Sequence, residues 1–482
     1  MAMSVHDKVK THFQDMAVYK DPAHHRLFSS LSIPSYLRDW VVMRFADENG
    51  KIDAIKVEEY VRNSIPSKKD WELLKSRMIK DGQRVRFLAK VRVELDVRTG
   101  QGMFSLPDLG FPNRKAEAIV ENKVLHQHRE ELLSESETWG VIECEWNSYG
   151  LNGKEGSGAI YLVNFTPFKP YKVDLEYYQE VRKEFTLDEW IDMLLLAVDY
   201  NPFGFSDVRQ KVTLLSRLLP FVEKRVNLIE LAPKGTGKSY MMSQLSKYGW
   251  LVSGGSVSRA RLFYDISRKT PGLVSRYDYV ALDEVQTITF PDVEEIRGAL
   301  KGYLESGEYR VGDYRGIGDA GLVLMGNILE EKMSENLNMF TELPPAFQES
   351  ALIDRFHGFI KGWNIPRMRE NMKAEGWALN VEYFSEIMHS LRSGLASSLN
   401  DLLEIPKSSD TRDTIAIKRL CSGLMKLFFP HVKSADDLDD REEFRTYCLE
   451  PAMQMRGIIR HQLHLVDSEY SDTLPDIRMR DS

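Results

Sequence analysis

Ala232-Pro-Lys-Gly-Thr-Gly-Lys238-Ser239 reads A-x-x-x-x-G-K-S, a phosphate-binding loop with alanine where the first glycine usually sits. It follows the apolar run Val226-Asn-Leu-Ile-Glu-Leu231 and precedes Tyr240-Met-Met-Ser-Gln-Leu-Ser-Lys247, a predicted helix. Pro233, Lys234, Gly235, Thr236 and Gly237 form the turn. Its backbone N–H groups, with the helix start, suit a nucleoside triphosphate such as ATP. Lys238 is expected to reach the β- and γ-phosphates, and Ser239 to hold Mg²⁺. Ala232 is the position farthest from Lys238 and adds a single methyl.

Further chemistry follows in order. Forty-five residues beyond Lys238, the apolar run Tyr279-Val-Ala-Leu ends in Asp283-Glu284. Asp283 suits the water shell of Mg²⁺, and Glu284 suits polarisation of the attacking water. Gly321-Leu-Val-Leu-Met-Gly-Asn327 reads as a second buried strand ending in an amide, placed to orient that water. Arg355, in Ala351-Leu-Ile-Asp-Arg355-Phe356, suits a cation acting on a neighbouring subunit's γ-phosphate. Singly, each piece has an ordinary reading as a strand end, a turn or a surface pair. The order and spacing after a phosphate loop favour the catalytic one.

Four elements must position these groups: strand, loop and helix, then a strand ending in carboxylates, a strand ending in an amide, and a following helix. The ordered set resembles the AAA+ ATPases over about residues 200–430. The resemblance implies a ring-shaped homo-oligomer, a helical lid after the core, and Arg412 as the arginine that contacts phosphate within the same subunit. Arg412 reads equally well as a solvated residue at a helix start.

The chain has 482 residues, 43% of them apolar and 28% charged, as in a globular protein of several domains. Its net charge of −8, from 64 basic and 72 acidic residues, excludes a globally basic nucleic-acid binder but not a locally basic surface. Cys144, Cys421 and Cys448 are too far apart for a zinc pattern or a disulfide framework. No run is long and apolar enough to span a membrane, and the N-terminus does not read as a signal peptide, so a cytoplasmic location is expected.

Residues 1–82 read as an N-terminal helical region, 83–172 as a small β domain with an OB-like barrel as its candidate architecture, 173–370 as an α/β P-loop core, and 371–482 as a helical lid and tail. Apolar residues occupy the odd positions from Val85 to Val97 in near-strict alternation, the signature of a long half-buried strand. Its other face carries Arg84, Arg86, Lys90 and Arg92, candidates for a nucleic-acid backbone or simply a wet face. Later strands are expected at 139–146 and 159–165, with a glycine-rich loop at 150–158 between them. Thr186 and Glu189 complete a capping box at the entrance to the core. Glu308-Tyr-Arg310-Val-Gly-Asp-Tyr314-Arg315-Gly-Ile reads as a β-hairpin. Related motors carry a pore-facing hairpin here, which makes Arg310, Tyr314 and Arg315 candidates for gripping phosphates and bases. Ser253-Gly-Gly-Ser256 reads as a loop that could also face a pore.

A closer resemblance joins Leu231–Ser239, Ser253-Gly-Gly-Ser-Val-Ser258 with Leu262-Phe-Tyr264, Leu282-Asp-Glu-Val285, Leu324-Met-Gly-Asn327, Asp354-Arg-Phe-His-Gly358, Phe185-Thr-Leu-Asp-Glu-Trp-Ile191 and Ser422-Gly-Leu-Met-Lys-Leu427. These residues resemble the BrxL family, Lon-related AAA+ proteins of bacterial BREX phage-defence systems. The resemblance implies an MCM-like N-terminal region, a hexameric or heptameric ring, single or stacked, double-stranded DNA as partner, and other BREX components beside it. Longer members carry a Lon-like protease-fold domain. This sequence stops about fifty residues past the expected lid, so no peptidase activity is expected. The reading is an ATP- and Mg²⁺-dependent ring ATPase that moves along DNA or clamps it. The alternatives are a protein unfoldase and a slow ATP-gated clamp or scaffold.

Overall fold

The computed structural model describes residues 3–31, 33–133, 137–150, 155–267, 269–393 and 399–480. The chain forms two compact units: Met1–Arg44 together with Val173–Ser482, and Phe45–Lys172. The boundary expected at residue 82 therefore falls inside the second unit. The first 44 residues pack with the C-terminal two thirds because their apolar faces are buried there. Strand Ala17–Lys20 pairs antiparallel with Gly376–Leu379, and Phe13 packs edge-on against Tyr383.

The larger unit is built on a five-stranded sheet of β1 (Leu228–Ala232), β2 (Gly249–Ser256), β3 (Tyr279–Thr289), β4 (Gly321–Asn327) and β5 (Gly358–Lys361). All its pairings are parallel and the order is β5-β1-β4-β3-β2. Every residue of β1 is buried, as expected for a parallel strand covered on both faces. The order reverses direction at β1, and ligands of open parallel sheets sit beyond the carboxyl ends of strands at such a point. Ser253-Gly-Gly-Ser256, expected as a loop, instead continues β2, where Gly255 and Ser256 pair with Ile288 and Thr289 past an irregularity in the ladder.

Helix Leu187–Ala197 enters this unit with the expected capping box. Glu189 N–H donates to Thr186 Oγ1 (3.3 Å), and Thr186 N–H donates to Glu189 Oε2 (2.9 Å). Helix Val293–Ser306 leads to the hairpin Glu308–Val311 and Tyr314–Ile317, in which Arg310 stands directly opposite Arg315. After the sheet come helices Val381–Leu391, Thr411–Phe428 and Glu450–Val466.

The smaller unit is a closed five-stranded barrel in the order Val85–Leu95, Gly102–Ser105, Ala118–Val120, Glu155–Pro167, Thr138–Tyr149. Val85, Phe87, Ala89, Val91 and Val93 point inward with Phe104, Ile142, Leu162 and Phe165, so the alternation read from the sequence is real up to Val93, and Leu95 at the strand end is exposed. Val97 continues the pattern in sequence but lies exposed in the turn that follows. Residues 151–154 of the glycine-rich segment lie outside the described residues; the flanking strands run through Tyr149 and from Glu155.

Candidate functional site

The carboxyl ends of β1 and β4 and the Asp283-Glu284 step of β3, where its regular ladder is interrupted before the strand runs on to Thr289, converge on one cleft of about 370 Å³, lined by Lys234, Gly235, Thr236, Gly237, Lys238, Ser239, Tyr240, Asp283, Glu284 and Asn327. Gly235 and Gly237 take left-handed backbone angles, φ +84° and +76°. A Cβ on Gly237 would also lie 2.0 Å from the Tyr200 hydroxyl, so this position needs glycine on two counts. Helix Lys238–Gln244 starts there. Ala232, in place of the usual glycine, fits because the chain opposite is Gly362: a Cβ added there would come within 2.2 Å of the Ala232 methyl.

Ser239 Oγ donates to Asp283 Oδ2 across 2.5 Å, which brings the two expected metal-shell residues together. Lys238 Nζ donates to Asn327 Oδ1 and to the carbonyl of Pro233, both at 3.3 Å. Proline has no N–H to offer a phosphate, so Pro233 orients Lys238 instead. Burial pushes the Lys238 ammonium below its usual range; Glu230 and Asp283 oppose this, while Arg217 adds to it. Asp283 is buried, whereas Glu284 is exposed at the rim. Glu284 has φ +48°, and strained backbone at a non-glycine residue marks a position that the surroundings over-determine. Its N–H donates to Asp283 Oδ1 (2.9 Å) and its carbonyl accepts from Thr287 Oγ1 (2.9 Å). Gln286 Nε2, further along β3, donates to the Asn327 carbonyl at 2.6 Å.

Some positioning residues were not read from the sequence. Arg217 and Glu230 form a fully buried ion pair at 2.6 Å, and Arg217 Nη1 donates to the Thr236 carbonyl at 2.7 Å, which braces the loop from beneath. The signal was present: a carboxylate inside an otherwise apolar strand requires a buried partner. Tyr200, whose hydroxyl abuts Gly237, carries no comparable signal.

Arg355 and Arg412 do not line the cleft. Arg355 Nε lies 2.7 Å from Glu305 Oε2, and Arg412 pairs with the same carboxylate (3.3 Å) and with Asp354 (2.9 Å). Behind them the fully buried Arg456 bridges Asp354 and Asp413, each at 2.7 Å. The structure thus groups the two arginines with each other and does not set Arg412 at its own phosphate loop.

The nucleic-acid candidates divide. On the barrel, Arg84 pairs with Glu145 (2.5 Å), Arg92 with Glu94 (2.5 Å), and Lys90 lies 3.8 Å from both Asp108 and Glu137. Arg86 stands opposite Glu143 in the ladder. This stripe is largely compensated. On the hairpin, Arg310 and Arg315 are exposed, while Tyr314 is half-buried with one ring face stacked on Tyr264 at 3.6 Å. The Tyr314 ring is thus partly spent within the fold.

Residues 160–476 match the family model described as Lon-like protease BrxL-like, ATPase domain, and residues 11–146 match the BREX system Lon protease-like protein BrxL N-terminal model. The chain belongs to the BrxL family. A Lon-like protease BrxL of Escherichia coli O9:H4 (strain HS) is 30% identical over 464 residues, covering 94% of this chain and 63% of the relative. One of Bacillus cereus (strain H3081.97) is 28% identical over 450 residues, covering 92% and 64%. The chain therefore spans somewhat less than two thirds of the length of either relative. It carries the family's ATPase domain, and the cleft described above lies within the matched segment. Among the described residues no helix is long and apolar enough to cross a membrane.

Proposed function

We propose that this protein is a ring-forming AAA+ ATPase that binds double-stranded DNA and couples ATP hydrolysis to movement along it, or to clamping around it, within a BREX phage-defence system in the cytoplasm. The observation that carries the ATPase part is the Ser239–Asp283 contact at 2.5 Å beside Lys238 and Asn327, in a cleft rimmed by the exposed Glu284. The left-handed glycines leave open the approach that phosphate oxygens need, so this donor set fits Mg·ATP.

In this reading Lys238 and the loop N–H groups hold the phosphates. Ser239 and Asp283 hold Mg²⁺, which when bound supplies charge neutralisation on the phosphate oxygens. Glu284 takes the proton of the attacking water and Asn327 orients that water. Arg355 neutralises the developing charge in the cleft of an adjacent copy. Arg412, held beside it by Glu305, acts from the same side, a reassignment from the same-subunit role implied by the family resemblance. The helices after residue 380 are the lid, and the barrel is OB-like with an MCM-like role.

For DNA, Arg310 and Arg315, which form no ion pair among the described residues although Glu294, Glu295 and Glu308 line the same cavity, support the hairpin as the principal contact over the barrel stripe. Like charges opposite each other in a ladder repel, and an anionic partner relieves this. The rival reading, a Lon-like unfoldase, draws on the relatives' printed name, but the stacked Tyr314 has only part of its ring left to grip peptide.

The deciding experiment is the steady-state ATPase rate of the chain alone, with double-stranded DNA, and with an unfolded protein, using Glu284→Gln as the blank. Stimulation by DNA alone is expected. Stimulation by unfolded protein alone would transfer the assignment to an unfoldase, and a slow rate indifferent to both would leave a clamp or scaffold.

A further inference from the structure

Asp199 is 1% exposed and has φ +71°, a left-handed conformation at a buried non-glycine residue. Three groups converge on its carboxylate. Oδ1 accepts from Lys20 Nζ and from Arg38 Nη2, both at 2.7 Å, and Oδ2 accepts from the Tyr240 hydroxyl at 2.5 Å. Lys20 and Arg38 belong to the N-terminal segment and are themselves buried. Asp39 completes the charge balance: Arg38 Nε donates to it at 2.7 Å, and it accepts the Val381 N–H at 3.1 Å. His25 lies 3.6 Å from Asp199 Oδ1, and Ser35 Oγ is 2.6 Å from the Tyr240 hydroxyl.

Tyr240 directly follows Ser239 and lines the nucleotide cleft. The residue after Asp199 is Tyr200, whose hydroxyl rests against Gly237. Two consecutive residues therefore contact the chain on either side of Lys238 and Ser239. A buried cluster of four charges is a costly way to join two segments, since apolar packing of equal volume serves stability at least as well. What such a cluster adds is fixed geometry, because each hydrogen bond to a charge is directional and strong.

We propose that Asp199 is a positioning residue for ATP binding. Through the Tyr240 hydroxyl it fixes the first turn of the phosphate-loop helix, and Lys20 and Arg38 hold it in place, so the N-terminal segment is a working part of the nucleotide site. This rests on the ATPase reading above. Lys238 and Ser239 then meet the phosphates pre-oriented, and the site spends less of its binding energy on ordering them.

The test is Tyr240→Phe in the full chain, which keeps the ring and removes only the hydroxyl, with Asp199→Asn as a second variant and Lys238→Ala as reference. Melting temperature, affinity for a fluorescent ATP analogue, and the KM and kcat of ATP hydrolysis are measured for each. Tyr240→Phe is expected to raise KM and weaken nucleotide binding about tenfold, the scale of one hydrogen bond to a charged group, with kcat within about twofold and the fold intact. Asp199→Asn should act in the same direction where it folds. A Tyr240→Phe protein with unchanged KM and nucleotide affinity, whatever its melting temperature, would show the network to be structural only and overturn the proposal. A wild-type chain that binds nucleotide no better than Lys238→Ala would instead overturn the ATPase reading itself.

Discussion

Arg355 and Arg412 share one carboxylate: Glu305 Oε2 lies 2.7 Å from Arg355 Nε and 3.3 Å from Arg412 Nη2. Glu305 is itself nearly half exposed, so the group that holds both cations stands at the surface of the unit. A phosphate presented by a second copy would replace Glu305 as their partner without breaking the buried Arg456–Asp354 support behind them. Arg355→Ala is expected to lower ATP turnover about 10³-fold while leaving nucleotide binding near normal. Mixing Arg355→Ala with Lys238→Ala subunits should restore part of the activity, and Arg412→Ala should complement Lys238→Ala in the same way. No recovery in either mixture would argue against a shared site.

Glu284→Gln separates binding from chemistry. The side chain is exposed at the rim and makes none of the contacts that shape the loop, so the amide should leave ATP affinity unchanged. Loss of the general base is expected to cost about 10²- to 10⁴-fold in kcat. Hydrolysis at the normal rate in Glu284→Gln would remove Glu284 from this role and leave its strained φ unexplained.

Gly237→Ala should abolish nucleotide binding. The left-handed angle costs a residue with a Cβ roughly 1–2 kcal/mol, and the new methyl would overlap the Tyr200 hydroxyl. Either the loop or Tyr200 must move, and both support Lys238. Titration with a fluorescent nucleotide checks this. In Gly237→Ala with Tyr200→Phe, the overlap shrinks while the backbone strain stays, so recovery should be partial. Full binding by the single variant would mean that the loop tolerates a displaced Gly237.

The residues legible in the sequence are those whose chemistry is local. The loop Pro233–Ser239, the strand end at Asn327, the Thr186–Glu189 capping box and the turn between Arg310 and Arg315 each depend on a few consecutive residues, and the structure forms all of them, whereas the strand expected to end at Asp283 runs on to Thr289 past an irregularity in its ladder. What escaped depends on partners far along the chain. The basic face of the first barrel strand looked free because Glu145, Asp108 and Glu137 lie on other elements. Tyr314 looked available because nothing near it announces the stacking by Tyr264. Arg412 had the right residue type at a helix start, but Asp354 and Glu305, both distant in sequence, fix where it points. Asp199 matters only because the N-terminal segment folds back onto it.

The hairpin gives the sharpest test of the DNA reading. Arg310 and Arg315 occupy directly opposed positions and both side chains are exposed, so two positive charges face the same space. Arg310 Nε donates to the Gly312 carbonyl at 3.0 Å, a neutral acceptor within its own turn. If each arginine neutralises one phosphate, replacing both with glutamine should weaken binding to duplexes of any sequence. It should also reduce the slope of log affinity against log salt by about 2. Arg84→Gln with Arg92→Gln removes the same charge from the barrel, but both cations there already face a carboxylate at 2.5 Å. That pair of changes should alter the slope by much less than one unit. The measurement is a fluorescence-anisotropy titration of labelled duplex at several salt concentrations for the three proteins. A barrel variant that loses more of the slope than the hairpin variant would move the principal contact to the barrel.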